Sequence, residues 1–246
     1  MTLPPELVDE ILIYLRLNRQ ALGNCSLVAK SWIYSSQKLI YSCIYITPSS
    51  YQKWRKIASP TSARLFQCVY SLTCLRLKSI YHLHGDSLKL FDHLQHSTLD
   101  QVHDVDWDAV NLLPAFQNTL LSLSLLRTSL TLDAFIKLLG YFPNLREFSL
   151  TAPTFYAELR TVPPPSTPPR GTLRLSNLSV KNTDILLRGL CELELEYDEL
   201  DIYQVRGLPI SHAYPVISAC GKTLTCLMLG PSDRKFHALH IITSIV

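Results

Sequence analysis

Two rows of alternating carboxylates are the residues in this chain whose type and spacing most directly suggest chemistry. One row is Asp104, Asp106 and Asp108, separated by Val105 and Trp107, and the other is Glu192, Glu194 and Glu196, separated by Leu193 and Leu195. Because alternate side chains of a strand point to the same face, each row is predicted to lie on the solvent face of its strand. A glycosidase needs two carboxyl groups that face each other across a cleft, about 5–10 Å apart. Carboxylates that stand side by side on one strand do not meet that requirement.

Two interpretations of these acidic rows stay open. They can form a negative patch for a basic segment of a partner protein, with Arg76 and Lys78 on an earlier strand as a positive counterpart. They can equally be a solvated strand face that discourages pairing with other chains.

The histidines and the known catalytic motifs give little support to an enzyme. His82 and His84 are predicted to share a strand face, and His93 and His96 a helical one, but neither pair has a recognised metal-ligand spacing. Exposed polar surface is therefore the better interpretation of all four. The sequence contains no Gly-x-Gly-x-x-Gly, Gly-Lys-Ser/Thr or Gly-x-Ser-x-Gly motif. We expect no catalytic residues, no metal and no cofactor.

The composition predicts a folded, intracellular protein, located in the cytoplasm, the nucleus or both. The chain has 246 residues, of which 47% are hydrophobic, and a net charge of +3, which is too mild to indicate nucleic acid as a partner. The sequence begins without the features of a secretory signal, and no apolar run is long enough to span a bilayer, so no membrane partner is expected. The seven scattered cysteines are predicted to be small apolar core residues with free thiols, and not disulfide bridges or zinc ligands.

A recurring Leu-x-x-Leu-x-Leu pattern, or its conservative equivalent, would position the acidic rows. Its copies are Leu72, Leu75 and Leu77; Val102, Val105 and Trp107; Leu120, Leu123 and Leu125; Leu145, Phe148 and Leu150; Leu190, Leu193 and Leu195; and Leu224, Leu227 and Leu229. In each copy the fourth and sixth residues are predicted to point inward from a short strand. Helical segments such as Leu132 to Leu139, ended by Gly140, lie between strands, which favours parallel pairing by right-handed crossovers.

These segments resemble leucine-rich repeats, which implies a curved solenoid with the acidic rows on its concave face. The array is degenerate, because successive copies start 30, 18, 25, 45 and 34 residues apart. The Asn or Cys expected three residues after the last Leu is replaced by Ile80, Thr128, Pro153, Asp198 and Ser232. A Pro-rich stretch at 162–170 is predicted to be an extended surface insertion.

The first forty residues carry more apolar side chain than so small a unit can bury. Pro5 and Glu6 predict a helix start, and Leu7, Ile11 and Leu15 recur at a spacing of four beside Val8 and Leu12. Asn18 can close this helix or begin the next. Leu22, Cys25, Leu27, Val28 and Trp32 then supply a second and a third helical face. A partner protein is therefore predicted to cover part of this surface.

These residues resemble the F-box, in the form common in large families of fungal F-box proteins. Leu3-Pro4 matches its opening, Glu6-Leu7 and Ile11 its first helix, Leu15 the end of that helix, and Val28-Ala29-Lys30-Ser31-Trp32 its Val-Cys/Ser-Arg/Lys-x-Trp signature, with Ala29 as the departure. The resemblance implies a three-helix module that binds the Skp adaptor, and through it a cullin, in an SCF-type ubiquitin ligase. The Skp-binding residues would be Leu3, Pro4, Leu7, Ile11, Leu15, Leu22, Val28 and Trp32.

The resulting prediction is an α/β protein that acts as a substrate adaptor without catalytic residues of its own. An F-box-like module at 1–48 is followed by a linking helix at 49–69 and a leucine-rich-repeat domain at 70–246, which would hold an unknown protein substrate. The alternative is a protein-interaction scaffold built on the same repeats that does not serve ubiquitination. Because the chain ends in an apolar run that includes Ile242 and Ile245, we expect a shortened array or a last face that meets another chain.

Overall fold

A computed structural model of the chain describes residues 3–57, 63–76, 90–102, 117–156, 170–179, 186, 190, 196–203, 214–220, 223–230 and 239–241. Within these ranges the chain forms seven helices and a large, mostly parallel sheet. The α/β part of the predicted fold class is confirmed.

Three helices form the N-terminal module: α1 at Pro5–Tyr14, α2 at Arg19–Val28 and α3 at Lys30–Tyr41. Pro5 stands in the first turn of α1, where its missing N–H costs no hydrogen bond, and Glu6 places a negative charge near the positive end of the helix dipole. Of the two roles left open for Asn18, the structure shows the second, since its side chain caps α2 by accepting a hydrogen bond from the backbone N–H of Ala21 at 2.9 Å.

The large sheet has nine strands, in the order β1-β2-β3-β4-β6-β8-β9-β10-β11, and β5 and β7 form a separate pair. The strands are β1 Cys43–Ile46, β2 Ser71–Leu75, β3 His96–Asp100, β4 Ser122–Leu126, β5 Ser129–Thr131, β6 Glu147–Thr151, β7 Thr154–Tyr156, β8 Arg170–Ser176, β9 Glu196–Tyr203, β10 Cys226–Gly230 and β11 Leu239–Ile241. The other helices are α4 Pro48–Ile57, α5 Ala63–Phe66, α6 Leu132–Tyr141 and α7 Tyr214–Cys220. All pairs are parallel except β10 with β11, which is antiparallel and departs from the all-parallel expectation.

Two side chains point into the core from each of β1, β2, β3, β4, β6 and β8, and three do so from β9, namely Tyr197, Leu200 and Ile202. One inward position of each strand from β1 to β10 in the large sheet pairs with the next, in the order Ile44, Leu72, Ser97, Leu123, Phe148, Leu173, Leu200 and Leu227, and all are buried. Their spacings along the chain are 28, 25, 26, 25, 25, 27 and 27 residues. The uneven intervals expected from the Leu pattern are therefore wrong, and the array is regular.

The irregularity came from copies that were assigned to the wrong residues. In β2 the inward residues are Leu72 and Cys74, and Leu75 lies on the other face. The strand β3 begins at His96, and one of its two inward residues is the buried Ser97, so a search for Leu misses this strand. Val102, which was assigned to the first position of this copy, is buried after the end of β3.

Leu193 and Leu195, which were predicted to lie in a strand, are outside the described residues. The strand described next to them is β9, which begins at Glu196. The strand β8 was missed, because it follows directly on the Pro-rich stretch. Arg170, assigned to the insertion, is its first residue. The remainder of the insertion, and also Ile242 and Ile245, lie outside the described residues.

Two helix boundaries also differ from expectation. Helix α4 begins at Pro48 rather than at residue 49, and it is capped by Thr47, whose Oγ1 accepts a hydrogen bond from the Ser50 N–H at 3.2 Å. Helix α6 passes through Gly140 and ends at Tyr141, because packing of Phe135, Ile136, Leu138 and Leu139 in the core outweighs the cost of one glycine.

The helical module and the sheet are joined without a separate linker. The strand β1, assigned to the module, pairs with β2 and so belongs to the sheet. In the segment predicted as a linking helix, Trp54 of α4 and Phe66 of α5 stack edge to face at 6.1 Å between ring centroids and pack in the sheet core. The Arg19 guanidinium also donates a hydrogen bond to the Cys43 carbonyl at 2.7 Å.

The start of each early strand is held by one repeated backbone contact. The Ser42 carbonyl accepts hydrogen bonds from the N–H groups of both Tyr70 and Ser71. The carbonyls of Tyr70, Gln95 and Leu121 accept from two consecutive N–H groups of the next strand in the same way.

A repeated turn closes the other end of these strands. Five residues directly after strands have positive φ, namely Arg76, Gln101, Arg127, Ala152 and Asn177. The N–H groups of the first four donate hydrogen bonds to the carbonyl of the last residue of the next strand in the large sheet, at 2.7–2.9 Å. The left-handed conformation costs about 1–2 kcal/mol for a residue with a Cβ, and the interstrand hydrogen bond offsets part of that cost.

The regular pattern breaks once between the described strands, where β8 meets β9. Gly171 pairs with Tyr197 and Thr172 pairs with Glu199, so Asp198 is an extra, bulged residue. Gly171 has φ +88°, and a Cβ at this position would lie 2.1 Å from the Arg146 carbonyl oxygen. Only glycine fits here, both because of its backbone conformation and because of the close approach.

We expect Gly171→Ala to lower the free energy of unfolding by at least about 2 kcal/mol, since it combines a strained φ with a clash against backbone. Urea denaturation measures the effect. The matched control is Gly23→Ala in α2, where an added Cβ meets nothing within 4 Å. This control should raise the free energy of unfolding by about 0.5–1 kcal/mol, and equal effects of the two substitutions would contradict the close approach at Gly171.

Candidate protein-interaction surface

Helix α1 carries two apolar faces, and its own module covers one of them. Val8 and Leu12 point inward and form a small core with Leu22, all three fully or almost fully buried. Leu7 and Ile11 each precede one of these residues and are 45% and 42% exposed. Because successive helical residues are rotated by about 100°, burying the first pair leaves the second pair on the surface.

The exposed face of α1 forms an apolar groove of about 430 Å³, lined by Leu3, Leu7, Glu10, Ile11, Tyr14 and Leu15. Five of these six side chains are apolar or aromatic, and Glu10 contributes the charge. Burying the remaining half of a Leu or Ile side chain is worth about 1 kcal/mol, so the groove can supply several kcal/mol to a partner. Contiguous apolar surface of this kind is typical of protein-interaction sites.

The structure places the eight residues of the predicted Skp-binding set in three environments. Leu3, Pro4, Leu7, Ile11 and Val28 are exposed. Leu15 and Trp32 are half-buried and pack against the core of the module. Leu22 is fully buried, so it supports the helices from within and has no surface to offer a partner.

Several exposed apolar residues lie outside the predicted Skp-binding set. Tyr14 is 86% exposed and lines the groove, and its position seven residues after Leu7 and three after Ile11 could have identified it. Leu17, between α1 and α2, is almost fully exposed and belongs to no helix, so periodicity gave no signal for it. Leu27, which was predicted to contribute to a helical face, is almost fully exposed beside Val28 at the end of α2.

The predicted acidic patch on the sheet can be placed only in part. Lys78, Asp104, Asp106, Asp108, Glu192 and Glu194 lie outside the described residues. Arg76 follows β2 and Glu196 begins β9, which is five strands away in the sheet, or about 24 Å. Glu196 pairs instead with Arg170, whose Nε donates to Oε2 at 2.7 Å. The structure therefore does not bring Arg76 and Glu196 together.

A different group of charges lies on the polar face of the sheet, on strands β6, β8 and β9. Arg174 forms an ion pair with Glu147 and lies 4.0 Å from a carboxylate oxygen of Asp201. Thr172 donates its hydroxyl to Glu199 at 3.0 Å, and Ser122 donates to Glu147 at 3.3 Å. Sequence reasoning missed this group because its members occupy the corresponding positions of neighbouring strands but are about 25 residues apart in the chain.

Asp201 is the carboxyl in this group whose titration the structure alters. Burial raises the pKa of Asp201 above its ordinary value, the neighbouring Arg174 opposes that shift, and Glu199 adds to it. Burial thus disfavours the charged form of Asp201 in the folded state.

The remaining candidate groups can be placed only in part, because His82 and His84 lie outside the described residues. His93 lies in a turn and His96 begins β3, so the predicted shared helical face is wrong. Among the described residues no group of three or more His, Cys, Asp or Glu side chains could hold a metal ion. Six cysteines of the described ranges are free thiols, and burial raises the pKa of Cys74 to about 12. None of the helices in those ranges has the length and apolar character needed to cross a membrane.

We expect Asp201→Asn to increase the free energy of unfolding at pH 7, because the folded state then no longer holds a buried carboxylate. The gain should shrink as the pH falls and vanish below about pH 4, where the wild-type carboxyl is protonated in both the folded and the unfolded state. Urea denaturation at pH 7, 5.5 and 4 measures it. The exposed Asp198→Asn is the control and should change stability by less than about 0.5 kcal/mol at each pH. A destabilised Asp201→Asn at pH 7 would show that attraction to Arg174 outweighs burial.

Neither a scan against protein-family models nor a search of the curated proteins finds a match for this chain.

Proposed function

We propose that this protein is a substrate-recognition adaptor of a cullin-based, SCF-type ubiquitin ligase. In this proposal α1 to α3 act as an F-box that binds Skp, and the strand array is a leucine-rich-repeat domain that binds a protein substrate. The observation that carries the proposal is the apolar groove on α1, which lies on the face of the helix that its own core leaves exposed.

The arrangement of the helical module supports the F-box part of the proposal. Three helices follow one another at the positions that the resemblance implies, with Leu3-Pro4 before α1 and the Val28-to-Trp32 signature at the junction of α2 and α3. At this junction Ala29 adopts an extended conformation between the two helices. Val28 thereby remains exposed while Trp32 packs on the core of the module.

The regular register supports the leucine-rich-repeat part of the proposal. Units of 25 to 28 residues each contribute one short parallel strand, and leucine-rich repeats have 20–29 residues per unit. At the position where an Asn is usual, Thr128 is buried and donates its hydroxyl to the Leu126 carbonyl at 3.1 Å. The side chain thus satisfies a backbone acceptor, as the amide of an Asn would.

The function that follows is delivery rather than catalysis. The protein would hold a substrate on the sheet and bind Skp through α1, while ubiquitin transfer takes place on other subunits. A ligase of this kind acts in the cytoplasm or the nucleus.

We expect Leu7→Asp and Ile11→Asp each to weaken binding to purified Skp by at least about thirtyfold, because each puts a charge into an apolar contact. Isothermal titration calorimetry measures the affinity. Circular dichroism should show an unchanged fold, since both side chains are already about half exposed in the free protein. The matched control is Ile13→Asp, which lies on the same helix and is 50% exposed but does not line the groove.

Pull-down of the wild-type chain from cells should recover both Skp and a cullin. Skp without a cullin would favour the scaffold alternative. If both groove variants unfold, Leu7 and Ile11 belong to the core of the module. If both variants bind Skp with wild-type affinity, the groove is not the docking site.

A further inference from the structure

A second concave site lies at the edge of the sheet where strands β6, β8 and β9 begin. It is an open cleft of about 520 Å³, and its polar lining includes Arg146, Arg170, Asp198 and Glu199. Leu121, Pro143 and Leu145 contribute the apolar part of the lining. The site is separate from the groove on α1, with which it shares no residue.

The cleft lies where the described sheet departs from its regular register. The bulge in β9 adds Asp198, whose carbonyl accepts hydrogen bonds from the N–H and the hydroxyl of Thr225. The backbone of this residue is therefore fixed while its side chain is exposed. Opposite the bulge, Gly171 lets the Arg146 carbonyl approach closely and accept from the Thr172 N–H at 2.7 Å. Bulges of this kind re-aim side chains and are common beside functional sites.

Two of the four charges in the cleft have no partner among the described residues. Arg170 is paired with Glu196, and Glu199 accepts a hydrogen bond from Thr172. Arg146 and Asp198 are both exposed, and neither makes an ion pair or a side-chain hydrogen bond within the described ranges. The cleft therefore presents one available cation and one available anion on a backbone that is held in place.

The positions of these two charges fit two side chains of one extended peptide. Arg146 directly precedes β6, and Asp198 lies in β9, two strands away, so their backbones are about 10 Å apart. In an extended peptide, residues two positions apart point to the same face, with side chains about 7 Å apart. The long Arg146 side chain can span the remaining distance.

We propose that this cleft binds an extended peptide segment of another protein, in which an acidic and a basic residue lie two positions apart and point to the same face. The acidic residue pairs with Arg146, the basic residue pairs with Asp198, and a flanking side chain contacts the apolar lining formed by Leu121, Pro143 and Leu145. That the bound segment belongs to a ubiquitination substrate depends on the proposed function, whereas peptide binding itself does not.

The experiment uses the full chain without Skp and immobilised libraries of nine-residue peptides. The libraries share randomised flanks and differ only in two fixed residues two positions apart: Glu and Lys, Lys and Glu, or Gln and Gln. The labelled wild-type protein should be retained on one of the two charged libraries about fivefold or more over the Gln library at low salt, since each exposed ion pair contributes only a small factor. Arg146→Glu and Asp198→Lys should each abolish this preference.

Two further variants make the test specific. The double variant Arg146→Glu with Asp198→Lys should prefer the opposite order of charges, which a merely misfolded protein cannot do. The control Lys53→Glu, an equal charge reversal on the exposed side of α4, should keep the wild-type preference. Equal retention of wild-type protein on all three libraries, or an unchanged preference in the double variant, would overturn the proposal. Because Skp is absent from the assay, failure of the F-box proposal would leave these results unaffected.

Discussion

The sheet depends on the stacking of inward side chains in register, which shifts once, at the bulge in β9. A short strand contributes few residues to the core, as Leu123 and Leu125 do in β4. Such a pair cannot bury itself alone, but the inward residues of the neighbouring strands cover it on both sides. A one-residue slip in any strand would turn both side chains to the polar face, which explains why the turns that set the register are so uniform.

The helical module leads directly into the first strand of the sheet. The Ser42 carbonyl, between α3 and β1, holds the start of β2 in the way that the Tyr70 carbonyl, just before β2, holds the start of β3. The repeated backbone contact therefore begins at the residue that ends the module. Arg64 of α5 also stacks over the Tyr34 ring of α3 at 5.4 Å. A partner bound to α1 would thus be held in a fixed relation to the sheet.

Sequence patterns predicted the elements whose apolar residues decide their structure and missed those decided by neighbours. Helix α1 and the strand β4 were predicted because their own periodicity matches their burial. The register of β2 and β3 was not predicted correctly, because Cys74 and Ser97 are buried by adjacent strands, and neither residue type by itself indicates an inward position. For the site, the stripe of Leu7 and Ile11 follows from helical spacing. The cleft could not be predicted, since its bulge results from the pairing of residues that are about 25 positions apart.

The stability of the fold explains why residues 8, 12 and 22 are apolar (Val8, Leu12 and Leu22), but it does not explain why Leu7 and Ile11 are apolar. The first three form the core of the module, and a polar substitution there would remove most of its buried apolar surface. Leu7 and Ile11 are about half exposed, and polar residues at these positions would cost the free protein little. Single exposed apolar residues are common in proteins, but a continuous groove that also includes Leu3 and Tyr14 is not. The stability of the chain therefore gives no reason for this groove, whereas the proposed binding of a second protein would give one.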